Sequence, residues 1–566
     1  MYSLAVFVSL LSVVSDAGTG VPTQGPPKLL LVVAPSDYRE ALDPWLERRR
    51  SQGYQIHLID LESLLGLNEG ASAVAVLRDE IARQVSTSAA EFEKSDAAGP
   101  AAFVLLVGDA PAPRERLDAA RLIPAAIQME KARPSLQRQF VTDNVFALPD
   151  ERGRARVAIG RWPVRSPDEV AVQVQKSLNY EHAQSPGLHR RDVTFLATTP
   201  NYDPFLDPVL ERMAMGMING QVKPHWGVRA VYSSPTSDYF PGPDEAQKQI
   251  VRWLEDATPF TIFAGHGFDR GVDVVRYRGK EYTVLDTGVA QKVNGTRPGT
   301  VLWMSTCSCG DFDLPPPHRG LAEALMMNPR GPTAVVAGSD ETSAYANLLL
   351  CTGLAQDVIE EPPATLGEAF LRFKRAAFKP GPPLLKNMLL SMEPTEKPDL
   401  LPDDHQFLYN LLGDPTLPLN LPRRVSFSAE VAEKPANEPG QKRFTIAGSF
   451  ENWESGTAWV SFVIDRMMMK ELAAQPATLE QEDARRAAYF DRFTKANDKT
   501  AAQAQVKVRD GRFQVELSIA EALAAKVRWL QVYVYTESTP EGKWQDGVAA
   551  RPVTLIPSAP EGKPQP

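Results

Sequence analysis

Residues 28–60, KLLLVVAPSDYREALDPWLERRRSQGYQIHLID, contain the pattern that decides the fold class. An apolar run at 28–33 is followed by a helical pattern at 38–50 and by a second apolar segment at 54–60. Strands that are apolar on both faces are typical of parallel sheets covered by helices on both sides. The stretch therefore predicts a β-α-β unit.

The same alternation continues toward the middle of the chain and beyond it. Further strand candidates lie at 102–107, 156–159, 193–197, 259–264, 300–305 and 333–338. Helical patterns lie between them, for example at 168–180, 244–255 and 320–327. This order predicts two doubly wound α/β units, one over residues 27–186 and one over residues 187–422.

After Arg424 the pattern changes to segments of partial alternation, which predict an all-β sandwich over residues 423–557. The predicted strands are 425–431, 443–450, 457–464, 504–508, 512–519, 527–535 and 553–556. A stretch at 467–500, rich in Ala, Glu, Arg and Lys, predicts a helical insertion between strands. The Pro- and Gly-containing residues 558–566 are typical of a disordered tail.

Composition excludes several classes of protein. Hydrophobic residues make up 43% of the chain and charged residues 23%, which are ordinary values for a folded, water-soluble protein. The net charge is -9 and there is no long basic run, so nothing indicates binding to nucleic acid or to anionic lipid.

The first residues resemble an export signal. An apolar run at 4–14 ends in small residues, which predicts a signal peptide over 1–17 and a linker over 18–26, although no Lys or Arg precedes the run. A short buried strand is the alternative. No later apolar stretch reaches the roughly 20 residues that cross a bilayer. We therefore expect a secreted, periplasmic or cell-surface protein without a membrane-spanning segment once the signal is removed.

Two segments place a reactive residue just after a buried strand. Residues 261–267, TIFAGHG, contain His266, and residues 301–307, VLWMSTC, end at Cys307. The carboxyl ends of parallel strands form the crevice where ligands bind, so the two side chains can meet there. A thiolate is a nucleophile that imidazole activates, and the N–H groups of Gly267 and Cys307 are suited to hold an oxyanion. A packing thiol and a hydrogen-bonded imidazole are the bland alternatives.

These two blocks resemble the caspase-like superfamily of cysteine peptidases. Four further motifs, in order, are similar to the gingipain branch: LLVGD at 105–109, TDN at 142–144, AIGR at 158–161 and YNLLGDP at 409–415. The resemblance covers about residues 27–419. It implies two caspase-like α/β subdomains, often followed by an immunoglobulin-like domain, which agrees with the strands predicted after Arg424.

The resemblance also implies roles for single residues. It places the nucleophile at Cys307, the general base at His266 and an oxyanion donor at Gly267, and it leaves Cys309 as a bystander. The chain has three cysteines, Cys307, Cys309 and Cys351, and so small and odd a number does not form a disulfide framework. In the family an acidic residue often orients the histidine, and its position is occupied by Arg156 here. The nearby acids Asp143, Asp150 and Glu151 are the alternative candidates for this role.

The chemistry requires no cofactor. The resemblance suggests calcium, and acidic residues near the strand ends are Asp311, Asp313, Asp340 and Glu341, but no EF-hand spacing occurs and the metal is unknown. His318, in a loop after three prolines, is expected to be exposed. The leading hypothesis is a cysteine endopeptidase acting on protein or peptide substrates through an acyl-enzyme. A sortase-like transpeptidase and a non-catalytic surface protein, the latter motivated by Arg156, are the alternatives.

Overall fold

The computed structural model describes most of the chain. The described residues are 28–66, 72–92, 100–110, 122–150, 154–182, 185–199, 201, 207–381, 383–392, 395–436, 438–471, 473, 476, 479–537 and 544–555. The predicted signal peptide (1–17), linker (18–26) and tail (558–566) lie outside them, as does Glu151.

The first α/β unit contains the β-α-β element predicted at 28–60. Its helices and strands, in chain order, are β1 (Lys28–Ala34), α1 (Arg39–Ser51), β2 (Tyr54–Asp60), α2 (Leu61–Gly66), α3 (Ala73–Phe92), β3 (Ala102–Val107), β4 (Ala126–Met129), β5 (Gln139–Thr142), β6 (Val157–Trp162) and α4 (Pro167–His182). Strands β4 and β5 form a separate antiparallel pair.

The second α/β unit carries both predicted catalytic side chains. Its elements are β7 (Asp192–Thr198), α5 (Asp207–Gln221), β8 (Gly227–Ser233), α6 (Pro243–Glu255), β9 (Phe260–Ala264), β10 (Gly267–Phe268), β11 (Gly271–Val272), β12 (Val275–Tyr277), β13 (Lys280–Tyr282), α7 (Thr287–Ala290), β14 (Val301–Ser305), α8 (Leu321–Met327), β15 (Ala334–Gly338), α9 (Ala344–Gly353), α10 (Leu366–Arg375), α11 (Pro383–Met392), α12 (Leu401–Leu408) and β16 (Tyr409–Leu412). Helix α9 continues as a π-helix over Leu354–Ile359.

The two units share one sheet, where the sequence predicted two. Its ten strands are ordered β2-β1-β3-β6-β16-β15-β14-β9-β7-β8. Strand β16 runs antiparallel to β15 and parallel to β6, and the other neighbouring pairs are parallel. Without β16, β6 and β15 would present unpaired backbone groups in the interior, which is costly. The fold is thus a mixed α/β fold around one large sheet.

Helices cover both faces of this sheet. In β14, Leu302 and Met304 belong to one hydrophobic core, and Val301 and Trp303 belong to the other. Successive strand residues point to opposite faces, so a strand that is apolar at every position fills two cores. This explains the uniformly apolar pattern from which the strands were predicted.

The chain from Arg423 onward forms two further sheets. Its elements are β17 (Arg423–Arg424), β18 (Phe427–Lys434), β19 (Gln441–Phe450), β20 (Gly456–Ile464), α13 (Glu482–Asn497), β21 (Thr500–Val508), β22 (Arg512–Ala520), α14 (Glu521–Ala524), β23 (Val527–Tyr535) and β24 (Asp546–Pro552). The sheets are β17-β24-β23-β20-β21 and β18-β19-β22, and apolar residues of both form one core. The last strand was predicted at 553–556, which is wrong, because the chain pairs with β23 earlier, at 546–552.

Helix α13 occupies part of the stretch predicted as a helical insertion, and it packs on the second α/β unit. The ring of Tyr489 lies 5.1 Å from the ring of Phe240, and Phe493 lies 5.6 Å from Trp253. The side-chain amide of Asn497 hydrogen bonds to both the N–H and the carbonyl oxygen of Ala230 on β8, at 2.8 and 3.0 Å. This insertion therefore covers the outer edge of the ten-stranded sheet. None of the described helices is long and apolar enough to cross a lipid bilayer.

Candidate active site

The sheet brings His266 and Cys307 to the same edge. Strands β9 and β14 are parallel neighbours, with Ala264 opposite Ser305, and each reactive residue follows two positions later. The N–H of Gly265 donates to the carbonyl oxygen of Ser305 at 3.4 Å, which extends the pairing beyond the strands. Both side chains are partly exposed and line a single cavity of about 680 Å³.

The loop that carries His266 is pressed against the loop that carries Cys307. A side-chain carbon added to Gly267 would lie 2.5 Å from the carbonyl oxygen of Cys307, 2.6 Å from the sulfur of Cys309 and 2.9 Å from Thr306 Cβ. No side chain fits there without moving backbone, so the sequence His-Gly is required by packing. Gly265 adds a backbone φ of 148°, which side chains rarely adopt.

A tight turn follows the cysteine. Ser308 has a φ of 52°, and the N–H of Cys309 donates to the carbonyl oxygen of Cys307 at 2.6 Å, which closes a three-residue γ-turn. A non-glycine residue with positive φ is uncommon and occurs disproportionately at functional sites. The turn sets the two thiols apart, since Cys307 faces the cavity and Cys309 is fully buried.

The buried thiol is poorly suited to nucleophilic attack. Burial raises the pKa of Cys309 to about 12, and its sulfur lies 3.6 Å from the carbonyl oxygen of Gly271. The N–H of Thr342, in contrast, points at the sulfur of Cys307 from 3.3 Å. A donor in this position stabilises negative charge on the sulfur.

A chain of hydrogen bonds holds Thr342 in place. Asn347 Nδ2 donates to Thr342 Oγ1 at 2.8 Å, and the hydroxyl of Tyr409 donates to Asn347 Oδ1 at 2.7 Å. Tyr409 is fully buried, and burial raises its pKa far above the usual value, so it remains a donor. Sequence reasoning noted Tyr409 only as part of a motif and missed Thr342 and Asn347, because no local pattern links these residues to the cysteine.

Comparison with known proteins identifies the family. The sequence model of peptidase family C25 matches residues 23–420, which is most of the chain. The chain belongs to peptidase family C25. It is therefore a gingipain-type cysteine peptidase, a hydrolase that acts on proteins or peptides, as the resemblance predicted. No curated protein sequence matches the chain.

Solved structures similar to this C25 peptidase share little sequence with it. A structure described as "Structure of Protease" is 14% identical, covers 94% of this chain and 98% of its own, and has a TM-score of 0.50. The Arg specific cysteine proteinase gingipain R is 15% identical, with 95% and 100% coverage and a TM-score of 0.49. The complex of Porphyromonas gingivalis RgpB pro- and mature domains is 14% identical, with 93% and 100% coverage and a TM-score of 0.48.

Two of the acids proposed to orient the histidine, Asp143 and Asp150, have arginine partners in this C25 peptidase. Both oxygens of Asp143 accept hydrogen bonds from Arg161, at 2.8 and 2.7 Å, in the protein interior. Asp150 pairs with Arg154 at 2.8 Å at the surface, and Arg156 is exposed. Glu151 lies outside the described residues.

The acidic residues near the strand ends do not assemble into a carboxylate site. Glu341 is bound by Arg133, at 2.5 Å, and by Arg138. Burial and the neighbouring Asp313 raise the pKa of Asp311 to about 8, which favours its neutral form. Across the described ranges no group of three or more His, Cys, Asp or Glu side chains is arranged to hold a metal ion. His318 is exposed and does not line the cavity.

Proposed function

We propose that this chain is an endopeptidase in which Cys307 and His266 form the catalytic dyad. The observation that supports it is the register of β9 and β14, which delivers both side chains to one cavity at the carboxyl edge of the sheet. Covalent catalysis requires a nucleophile beside its base. The carboxyl edge of a parallel sheet is where α/β proteins bind their ligands.

The reaction follows from these positions. His266 takes the proton of the Cys307 thiol, the sulfur attacks the scissile carbonyl carbon, and the carbonyl oxygen becomes an oxyanion near the N–H groups of Gly267 and Cys307. His266 then gives a proton to the leaving amine as the C–N bond breaks, which leaves a thioester on the sulfur. His266 next takes a proton from a water molecule that attacks the thioester carbon. As the C–S bond breaks, His266 returns that proton to the sulfur, so that a free thiol and a carboxylic acid product result.

The loop after β15 assists this reaction. The N–H of Thr342 stabilises the thiolate before attack, and the hydrogen-bond chain through Asn347 to Tyr409 fixes the position of that N–H. A group positioned in advance costs no reorganisation when charge develops. Thr342 is therefore proposed as a positioning residue that acts through the cysteine.

The two neighbouring cysteines supply a matched test. We expect Cys307→Ala to reduce cleavage of a peptide library to background, and His266→Ala to reduce both cleavage and labelling of Cys307 by an acyl-directed thiol reagent. Cys309→Ala, which removes a buried thiol two positions away, keeps cleavage within a few-fold of the parent. Loss of cleavage in Cys309→Ala but not in Cys307→Ala refutes the assignment. Mass spectrometry of products formed with an added amine separates hydrolysis, which leaves free carboxyl ends, from transfer to the amine.

Two features outside the site belong to the same proposal. The pattern at 1–17 supports export through a cleaved signal, and amino-terminal sequencing of the secreted protein tests this, since a start at residue 1 contradicts it. The two sheets after Arg423 face each other across one core, which supports an immunoglobulin-like sandwich.

A further inference from the structure

The cavity beside Cys307 extends away from the sulfur between one face of the sheet and two helices. Strands β7, β8 and β9 contribute its sheet wall, and α5 and α9 with its π-helical continuation cover it. Its volume of about 680 Å³ lies within the usual range for pockets that bind small molecules or side chains.

The sequence of three adjacent strands explains why this space is empty. At the carboxyl end of β7, β9 and β14 the paired residues are Ala197, Ala264 and Ser305, all of them small. One row deeper on the same face, the paired residues are large: Phe195, Ile262 and Trp303. Side chains two positions apart share a face, so the small row leaves a recess and the large row closes it below.

The helices complete an apolar wall. Helix α5 contributes Met215 and Ile218, Val222 follows directly after it, and the segment after α9 contributes Ala355. Cys351 also lines the wall, and burial raises the pKa of its thiol, which keeps it neutral. The interior of the cavity thus offers many apolar contacts.

Charged side chains among the described lining residues lie on the loops near Cys307, and the sheet and helix walls carry none. Arg138 binds Glu341, which also accepts from Arg133 at 2.5 Å. Burial raises the pKa of Asp340, and its Oδ1 accepts the N–H of Glu341 at 2.7 Å. The carboxyl of Asp340 lies near Arg133 and Arg138, and among the described residues no carboxylate lines the sheet or helix walls of the cavity. An arginine or lysine side chain that entered the recess would therefore be buried there without a counter-charge, which is unfavourable.

We propose that this pocket binds a large apolar side chain, aromatic or long aliphatic, of the residue on the acyl side of the scissile bond. The proposal rests on the function proposed above. After attack, Cys307 is bonded to the acyl carbon, so the side chain on the neighbouring Cα is the one nearest the pocket. The leaving-group side chain is one atom further away, beyond the amide nitrogen.

The experiment measures kcat/KM for a set of peptides that vary only at the residue before the scissile bond. We expect Phe, Leu and Met to be preferred over Ala, Asp, Lys and Arg by at least roughly tenfold, since a buried apolar side chain gains about that much discrimination. Cys307-dependent cleavage that is fastest after Arg, Lys or Asp, equal rates for all residues, or a preference confined to the leaving-group side overturns the inference. No Cys307-dependent cleavage of any peptide instead refutes the proposed function itself.

A matched pair of substitutions ties the preference to the pocket. Ala197→Leu fills the recess from the sheet, and we expect it to lower the Phe-to-Ala ratio of kcat/KM by about tenfold or more. Ala447→Leu makes the same change at an exposed position of β19 and leaves the ratio unchanged. If Ala197→Leu does not fold, Ala214→Phe narrows the same cavity from an exposed position of α5. An unchanged ratio in every folded pocket variant contradicts the proposal.

Discussion

Replacing Asp143 by Asn is expected to destabilise the α/β part of the protein strongly without changing the chemistry of the molecules that remain folded. Asp143 and Arg161 form a two-point ion pair with side chains 4% and 0% exposed. The guanidinium of Arg161 also lies 5.2 Å from the ring of Phe312, a residue close to the catalytic loop. It donates hydrogen bonds to three backbone carbonyls, those of Gly108, Ile123 and Pro124. The substitution leaves this guanidinium buried without a counter-charge.

The size of the effect follows from burial. Removing one partner of a buried ion pair typically costs about 3–5 kcal/mol, which lowers the folding equilibrium constant by roughly two to four orders of magnitude. Asp150 supplies the matched control, since it pairs with Arg154 at side-chain exposures of 31% and 50%. Exposed pairs contribute about 0–1 kcal/mol, so Asp150→Asn should barely change stability.

The assay follows urea unfolding by tryptophan fluorescence and by residual peptide cleavage in parallel, because a chain with several folding units need not unfold in one step. We expect the midpoint to fall markedly for Asp143→Asn and to stay near that of the parent for Asp150→Asn. Equal midpoints for the two variants refute the reasoning. A stable Asp143→Asn variant with a reduced kcat and an altered pH profile would instead show that Asp143 orients His266.

Three further changes test the site and its surroundings. Gly267→Ala places a carbon 2.5 Å from the carbonyl oxygen of Cys307, so we expect the oxyanion donors to move and kcat to fall by about 10²-fold or more. Gly220→Ala is the control and should leave cleavage unchanged, because the added carbon has no atom within 4 Å. Burial raises the pKa of Glu323 to about 8, so its protonated carboxyl favours folding fully below pH 4.5, the ordinary pKa of a glutamate, and this contribution is lost as the pH rises to about 8. Urea midpoints of Glu323→Gln should therefore decline less between pH 5 and pH 8 than those of the parent, and an equal decline contradicts the argument. Asn347→Ala removes the donor to Thr342, so we expect several-fold slower alkylation of Cys307 in a Cys309→Ala background, and an equal rate would show that the hydrogen-bond chain does not position the thiol.

The sequence was most informative where one strand determines the outcome. Strands β9 and β14 are uniformly apolar, so their ends, and the positions of His266 and Cys307 beyond them, could be predicted from local pattern and the rule for parallel sheets. The family motifs then separated Cys307 from Cys309, which local pattern could not do.

What the sequence did not reveal depends on contacts between distant segments. The single sheet arises because β16, with only four residues, pairs with β15 on one side and β6 on the other. The role of Asp143 follows from Arg161, which lies on β6 of the ten-stranded sheet and donates hydrogen bonds to both oxygens of the Asp143 carboxylate. The pocket arises from small residues on three strands that only the register aligns.

The packing of α13 on the second α/β unit affects whether the α/β part can be produced without the carboxyl-terminal part. A chain that ended near residue 422 would lack Tyr489 and Phe493, so the rings of Phe240 and Trp253 would be exposed to water. It would also lack the Asn497 amide that hydrogen bonds to the backbone of Ala230. An open strand edge beside newly wetted aromatic rings is a template for self-association. We therefore expect the α/β part to self-associate when it is produced without the carboxyl-terminal part.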